Sequence, residues 1–327
     1  MDSTTSPGPA PVPGRRRVAF LGPPGTFGEE ALLTQADLVD DDLVPMVSMT
    51  AVLAGVEAGE VDLGFVAIEN SIEGTVNLVL DALVFDHNVV VQREVVHEVT
   101  QNLLAVPGTD LGAVRRVVSF PNALGQCRGW LTRNLAGVEE VAANSTAEAA
   151  RMVAAGGLGE GASAALGTAL SAKLYGLDVV VPHVEDHAGN MTRFVVVSCA
   201  GPGRVPRPTG HDKTSIVCFQ RVNQPGSLHN ILGQFAARGI NLTKLESRPT
   251  KKGLGDYCFI IDLEGHVDDE VVADCLRDLH ASLASVKFLG SYPAAGEEGA
   301  AIRRDAAASW RAADEWITGV RAMTAEP

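Results

Sequence analysis

The amino-acid pattern predicts an α/β protein in two parts. The larger part alternates short apolar strands with helical stretches, and the smaller part runs βαββαβ. Three observations carry this reading. Apolar runs of strand length, such as Val18–Leu21 and Leu63–Ile68, recur as far as residue 199, and the first two lead through polar turns into helix-period segments. Residues 200–212 then hold three Pro and three Gly without any periodic pattern, which reads as a linker. Beyond it come two helix-period segments flanked and separated by four strand-like runs.

In chain order, Val18–Leu21 is a strand followed by the turn Gly22–Thr26 and a helix. Leu63–Ile68 is a second buried strand, with an apolar helix expected over Thr75–Val84. Val117–Phe120, Val138–Ala142, Val179–Val181 and Phe194–Val197 continue the series. Parallel segments are expected, with ligands at the C-terminal ends of strands. In the smaller part, Ser215–Phe219 is a strand and Gly226–Arg238 a helix. Ile240–Ser247 and Asp256–Leu263 are strands, Asp268–Leu283 is a helix with Asp268 as its N-cap, and Val286–Tyr292 is the last strand. This is the order of a ferredoxin-like plait. The chain divides on this reading into a disordered lead-in (1–15), a first domain (16–199), a linker (200–212), a second domain (213–293) and a tail (294–327). Arg303–Met323 of the tail could be helical, with Trp310, Trp316, Ile317 and Val320 as an apolar stripe.

Composition narrows the function. The 327 residues are 46% hydrophobic, enough for two packed cores. A formal net charge of -14 argues against a nucleic-acid binder, which would carry a basic face. No run is apolar enough to cross a membrane, and the first residues lack the apolar core of a secretory signal, so a cytoplasmic location is expected. The five cysteines are scattered without a CxxC pair, and the eight histidines show no HxH or HxxxH spacing, so no metal site is expected. There is no GxSxG elbow, no P-loop and no GxGxxG after a strand. Serine hydrolysis, phosphoryl transfer and hydride transfer lose their usual signs, and no cofactor is expected.

Chemistry-bearing side chains gather in four turns. Gly22–Glu29 combines glycines with a Thr26/Glu29 capping box. It reads either as a capped helix start or as a cradle of backbone N–H groups for a carboxylate. Glu69–Thr75 packs an amide, two hydroxyls and carboxylates at the end of an apolar strand, where turn chemistry and function are both open. Asn144–Glu148 repeats the capping box with Ser145 and Glu148. Glu185–Phe194 is a polar loop feeding a strand, and Arg193 within it needs an anionic partner: Glu185, Asp186 or a substrate carboxylate.

Taken together, these segments resemble the prephenate dehydratase family over Val18–Tyr292. The matching pieces are GPPGTF at Gly22–Phe27, ENSIEGTV at Glu69–Val76, NALGQC at Asn122–Cys127, NSTAEAA at Asn144–Ala150 and NMTRF at Asn190–Phe194. NQPGSL at Asn223–Leu228 and ESRP at Glu246–Pro249 follow in the second domain, which resembles ACT domains. The resemblance implies a catalytic region like a type II periplasmic binding protein, two α/β lobes around a cleft, followed by the plait as a regulatory ACT domain. It implies a lyase that converts prephenate to phenylpyruvate with loss of water and CO2, without a cofactor. Thr192 matches the family's catalytic hydroxyl. Thr26, Asn70, Ser71, Gly74, Gln126, Ser145, Thr146, Arg193 and Phe194 fall in the motifs expected to meet substrate. Asn223, Gln224, Pro225, Gly226, Ser227 and Leu228 would form the effector loop and helix start, with Glu246, Ser247, Arg248 and Pro249 as a facing turn. L-phenylalanine is the effector the resemblance implies, and ACT pairing implies a homodimer or homotetramer. Three departures stand out: Phe120-Pro121-Asn122 where the family often reads His-Pro-Gln, Gly28 where it often has Ser, and Ser227/His229 within a motif that often reads Gly-Ala-Leu-Val. Arogenate, which bears an amino group in place of the keto group, is the alternative substrate, and a non-catalytic sensor is the alternative class.

Overall fold

The computed structural model describes residues 14–251, 253, 255–295 and 315–323. Most of the expected lead-in and much of the tail, Trp310 included, lie outside the described residues. Residues 315–321 are helical, with Trp316 69% exposed.

The first part of the chain builds two mixed sheets. β1 (Arg17–Leu21), α1 (Phe27–Leu33), β2 (Asp42–Met46), α2 (Met49–Glu57), β3 (Leu63–Asn70), β4 (Gly74–Thr75), α3 (Asn77–Asp81) and β5 (Val89–Glu98) begin the first lobe. The chain then crosses to a second lobe: β6 (Asn102–Ala105), β7 (Val114–Ser119), α4 (Pro121–Gln126), α5 (Arg128–Asn134), β8 (Glu139–Ala142), α6 (Thr146–Ala155), β9 (Ala162–Gly167), α7 (Ala169–Tyr175) and β10 (Asp178–Val181). It returns through β11 (Met191–Cys199) to complete the first sheet, ordered β2-β1-β3-β11-β5, while the second runs β10-β6-β9-β7-β8. β1 lies parallel to β2 and β3, and β11 runs antiparallel to β3. Two crossings between two α/β lobes give the periplasmic-binding-protein architecture.

Apolar strands explain both cores. Val18, Phe20, Phe65, Phe194 and Val196 bury together in the first lobe, where the Phe65 and Phe194 rings stack at 4.9 Å. Gly64 lets α2 lie directly on β3: a Cβ there would sit 2.8 Å from Val52 Cγ1 and 2.9 Å from Val56 Cγ2. Leu103, Val117, Leu131 and Leu166 fill the second lobe.

The second part is the plait β12 (Asp212–Phe219), α8 (Ser227–Ala236), β13 (Leu242–Pro249), β14 (Tyr257–Glu264), α9 (Glu270–Ser282) and β15 (Ser285–Pro293). Its sheet is antiparallel in the order β13-β14-β12-β15. Ile216, Ile261, Phe235 and Leu279 lie in its core. The chain forms two compact units, one of residues up to Val89 plus Val95–Cys199, the other of Val90–Glu94 and the residues from Ala200 onward. In the second unit Lys213 Nζ bonds both oxygens of Glu94 at 2.9 and 3.1 Å, and the Glu94 side chain is 2% exposed.

Several expectations are corrected. The helix expected over Thr75–Val84 is shorter, because Gly74–Thr75 pairs with β3 as a strand and the α-turns end at Asp81, passing into a π-helical turn over Ala82–Asp86. The N-cap of α9 is Asp269 rather than Asp268. Asp269 spends its carboxylate on the His266 amide at 2.7 Å, which ties down the turn before the helix. Glu246–Pro249 is the end of strand β13 and not a turn. An outer strand tolerates alternating polar residues, and Pro249 sits at its end, where a missing N–H costs little.

Candidate active site

The end of β3 and the start of β11 are neighbours in register, Asn70 opposite Thr192 and Glu69 opposite Arg193. Two polar motifs some 120 residues apart in sequence therefore meet. Asn70 is the hub. Its Oδ1 accepts from the backbone N–H of Ile72 and Glu73, both at 3.0 Å, which fixes the amide orientation. Its Nδ2 then faces Thr192 Oγ1 at 2.9 Å and Asn190 Oδ1 at 2.7 Å. Thr192 is 8% exposed, and among the described residues no acceptor is hydrogen-bonded to its hydroxyl proton. An oxygen that accepts from Asn70 turns its proton away from Asn70.

Asn190 extends the network and was absent from the expected site set, although its Asn-Met-Thr-Arg-Phe motif marked it. It is 3% exposed. Its Oδ1 also accepts from Ser71 Oγ at 3.3 Å, its backbone oxygen accepts from Val99 N at 2.7 Å, and its Nδ2 donates to Gln126 Oε1 at 3.3 Å. Gln126 Nε2 reaches Glu73 Oε1 at 3.0 Å, so the second lobe's α4 meets the first lobe here. Ser71 Oγ accepts from Met191 N at 2.9 Å. Gly74, at φ +79°, shapes the turn between β3 and β4.

Arg193 meets neither Glu185 nor Asp186. Glu185 accepts from Gln101 N at 2.8 Å, and Asp186 takes the amides of Gly129 and Trp130 at the start of α5. Arg193 Nη1 lies 3.4 Å from Glu69 Oε2 instead. Phe194 is buried against Phe65, with one ring edge 3.7 Å from where a Cβ on Gly28 would lie.

Both N-caps form, but each glutamate reaches back to the amide of the residue before the cap rather than to the cap's own N–H, so neither expected capping box closes. Thr26 Oγ1 accepts from Glu29 N at 3.3 Å and donates to Leu21 O at 3.0 Å. Glu29 reaches back to Gly25 N at 2.5 Å, so of the two readings of this turn the capped helix start is the one formed, its glycine amide being occupied by the protein's own carboxylate. Burial raises the Glu29 carboxyl above its ordinary value, the bond from Gly25 opposing. Ser145 Oγ caps α6 through Glu148 N at 3.0 Å, and Glu148 returns to Asn144 N at 3.1 Å. Thr146 follows, 9% exposed, and its backbone oxygen lies 3.5 Å from a Cβ position on Gly167, itself 3.0 Å from Ser171 Oγ.

In the smaller part, Asn223, Gln224, Gly226, Ser227 and Leu228 line an open hollow of about 400 Å³ together with Phe259. Asn223 Nδ2 holds Gly255 O at 2.8 Å, and Gly226, at φ +86°, starts α8. Pro225 lies in the same loop. Glu246 sits between Lys244, at 3.6 Å, and Arg248, at 3.9 Å, along one face of β13, with Ser247 and Pro249 exposed on the other. Among the described residues no His/Cys/Asp/Glu group is suited to a metal.

Comparison with known proteins places this geometry. The family model described as "Prephenate dehydratase" matches residues 18–201, and that described as "ACT domain" matches 214–281. A curated "Prephenate dehydratase" of Mycolicibacterium gilvum is 42% identical over 305 residues, covering 90% of this chain and 96% of that protein. A crystal structure of prephenate dehydratase in complex with L-Phe, from Arthrobacter aurescens, superimposes with a TM-score of 0.81 at 36% identity, over 93% of this chain and 99% of the other. A protein described as a novel type of quorum quenching acylase superimposes with a TM-score of 0.76 at 32% identity, over 86% and 98% of the two chains.

Proposed function

Because the chain belongs to the prephenate dehydratase family, we propose that Thr192 acts as the hydrogen-bond donor to the ring hydroxyl that prephenate loses, the proton that leaves with the water being replaced on Oγ1 from solvent before the next turnover. Prephenate carries a ring hydroxyl and a ring carboxylate. As the C–O bond breaks, its electron pair leaves with oxygen, which takes a proton and departs as water. The C–COO⁻ bond gives its pair to the ring, CO2 leaves, and aromatisation drives the step, so no electron sink is required. A lyase reaction of this kind needs orientation and one well-placed donor.

The observation that carries the reading is the 2.9 Å bond from Asn70 Nδ2 to a buried Thr192 Oγ1. The amide directs the threonine proton outward and stabilises negative charge developing on Oγ1. Gln126, Asn190 and Ser71 would set the substrate's orientation, Ser145 and Thr146 would grip the pyruvyl carboxylate, and the Thr26 turn, its Gly25 amide taken by Glu29, would shape the cleft wall rather than bind the carboxylate. Phe194 would back the ring, and Arg193 would act through Glu69 or on a substrate carboxylate. A cytoplasmic location fits the absence, among described residues, of a helix long and apolar enough to cross a membrane.

The Asn223–Leu228 hollow is the proposed effector site, with L-phenylalanine as its ligand. The support is the L-Phe complex of the Arthrobacter relative. β13 is one of the two outer strands of its sheet, which suits pairing of two copies and would bring Glu246–Pro249 of one to the hollow of another. A homodimer or a homotetramer of such pairs follows.

Purified protein incubated with prephenate at neutral pH should yield phenylpyruvate, and added phenylalanine should lower the rate. Product from arogenate alone would move the substrate assignment. Cleavage of an N-acyl amide without either product would favour the acylase chemistry of the structural relative. Against that chemistry stands the absence of a base on Thr192 among the described residues, since a hydroxyl nucleophile needs one.

A further inference from the structure

The Gly22–Thr26 turn of the first lobe is held from the second lobe by two side chains outside the site set. Tyr175 Oη donates to Pro24 O at 2.7 Å, and Thr168 Oγ1 donates to Gly25 O at 2.8 Å. Thr168 is fully buried, and its hydroxyl also accepts from Ser171 N at 2.8 Å as the N-cap of α7. That second bond fixes where its proton points. The contact is close enough to shape the backbone. Gly25 sits at φ +97°, and a Cβ there would lie 2.9 Å from Ser171 Cβ and 3.4 Å from the Tyr175 ring. Only glycine allows both the conformation and the approach. The turn's bonds to Met46 O, Leu21 O and Glu29, from Gly22 N, Thr26 Oγ1 and Gly25 N, stay inside the first lobe.

We propose that Thr168 and Tyr175 are positioning residues for the reaction: they latch the Gly22–Thr26 turn to α7 and so set the spacing of the two cleft walls that hold substrate. Consecutive carbonyls receive the two hydroxyls. Backbone acceptors cannot rotate away as side chains do, so the pair defines one relative placement of turn and helix. A second bridge between the lobes, Gln126 with Glu73 and Asn190, joins side chain to side chain at 3.0 and 3.3 Å and is freer to rearrange.

The kinetic arm of the test rests on the dehydratase reading, and the exchange arm does not. Tyr175→Phe keeps the ring and removes one bond, lowering the fraction of molecules in the competent arrangement. KM for prephenate should rise roughly 2- to 10-fold, with kcat within about twofold of the parent. Thr168→Ser should behave as the parent, because cap and donation both survive, while Thr168→Val should repeat the KM rise. Without ligand, the amides of Gly22, Gly25 and Thr26 should exchange hydrogen faster in Tyr175→Phe than in the parent, read by mass spectrometry of peptides cut from the labelled full chain. Unchanged exchange overturns the latch whatever reaction the protein catalyses. Faster exchange with KM and kcat both unchanged overturns the positioning role, as does a fall in kcat at constant KM. Should the parent protein not convert prephenate, the dehydratase reading falls and the exchange arm still decides the latch.

Discussion

A threonine hydroxyl is a weak acid, and nothing in its own chemistry makes it a proton donor at neutral pH. What the fold adds is direction: Asn70, fixed by two backbone amides, donates to Oγ1 and leaves the proton facing outward. Thr192→Ala should therefore lower kcat by about 10²-fold or more while the circular dichroism and melting temperature stay near the parent's. Asn70→Asp places a carboxylate against Thr192 Oγ1 and Asn190 Oδ1 and should cost as much activity, which steady-state kinetics would show. Glu29 gives a pH prediction of defined sign. Burial raises its folded pKa, so the stability it contributes is full below its unfolded value of 4.5 and is lost as pH rises through the folded value. Glu29→Gln should flatten that decline and leave the protein at least as thermostable at neutral pH, by melting curves across pH. At this scale the sequence exposed the polar turns but not their partners. Thr192 and Asn70 were legible from their motifs. That Arg193 turns to Glu69, and that Asn190 joins the Asn70 network, depends on the register of two strands far apart in the chain. Thr168 and Tyr175 carried no motif signal, because a threonine N-cap and an interlobe tyrosine look like ordinary helix-end residues.

At the level of elements, the helix caps separate structure from substrate contact. Ser145 accepts from Glu148 N and caps α6, so Ser145→Ala should destabilise by about 1 kcal/mol whether or not it also meets substrate. A KM change beyond that of a comparable cap variant such as Ser48→Ala, at the start of α2, would identify a substrate role. Gly64→Ala should cost about 1–3 kcal/mol in denaturant titrations, because its methyl would enter the Val52 and Val56 side chains. Apolar runs marked β1, β3, β7 and β11, which are largely buried, and also β8 and β10, which are largely exposed, while the short, wholly buried Asn-Leu-Leu-Ala of β6 gave too little pattern to mark it. β2 escaped because Pro45 interrupts an outer strand, and β9 because Ala-Ser-Ala-Ala-Leu-Gly has no β-propensity of its own. β5, Val-Val-Val-Gln-Arg-Glu-Val-Val-His-Glu, alternates poorly, since its two halves serve different units.

Across the whole molecule, burial rules the cysteines. It pushes the Cys127 thiol up to about 12, with Glu185 and Asp186 adding, Cys218 to about 12 and Cys275 to about 11. Cys258 is also buried, whereas Cys199 is only partly so. A thiol reagent at neutral pH should modify Cys199 quickly and the other four only as denaturant unfolds the chain, which mass spectrometry would map.

Strand β5 also constrains how the protein can be cut. Val90–Glu94 is sequence of the first half of the chain but packs with residues after Ala200: Glu94 is sealed by Lys213 and accepts from the Ala295 amide at 2.9 Å, and Gly290 lies against the Val91 backbone. A stop codon placed after Cys199 would not release a tidy catalytic fragment. It would strip a buried carboxylate of its counter-ion and bare an apolar stretch of a sheet strand, a recipe for inclusion bodies. If the Asn223–Leu228 hollow is the effector site proposed above, point substitution there in the full chain is a better route to an unregulated enzyme than truncation.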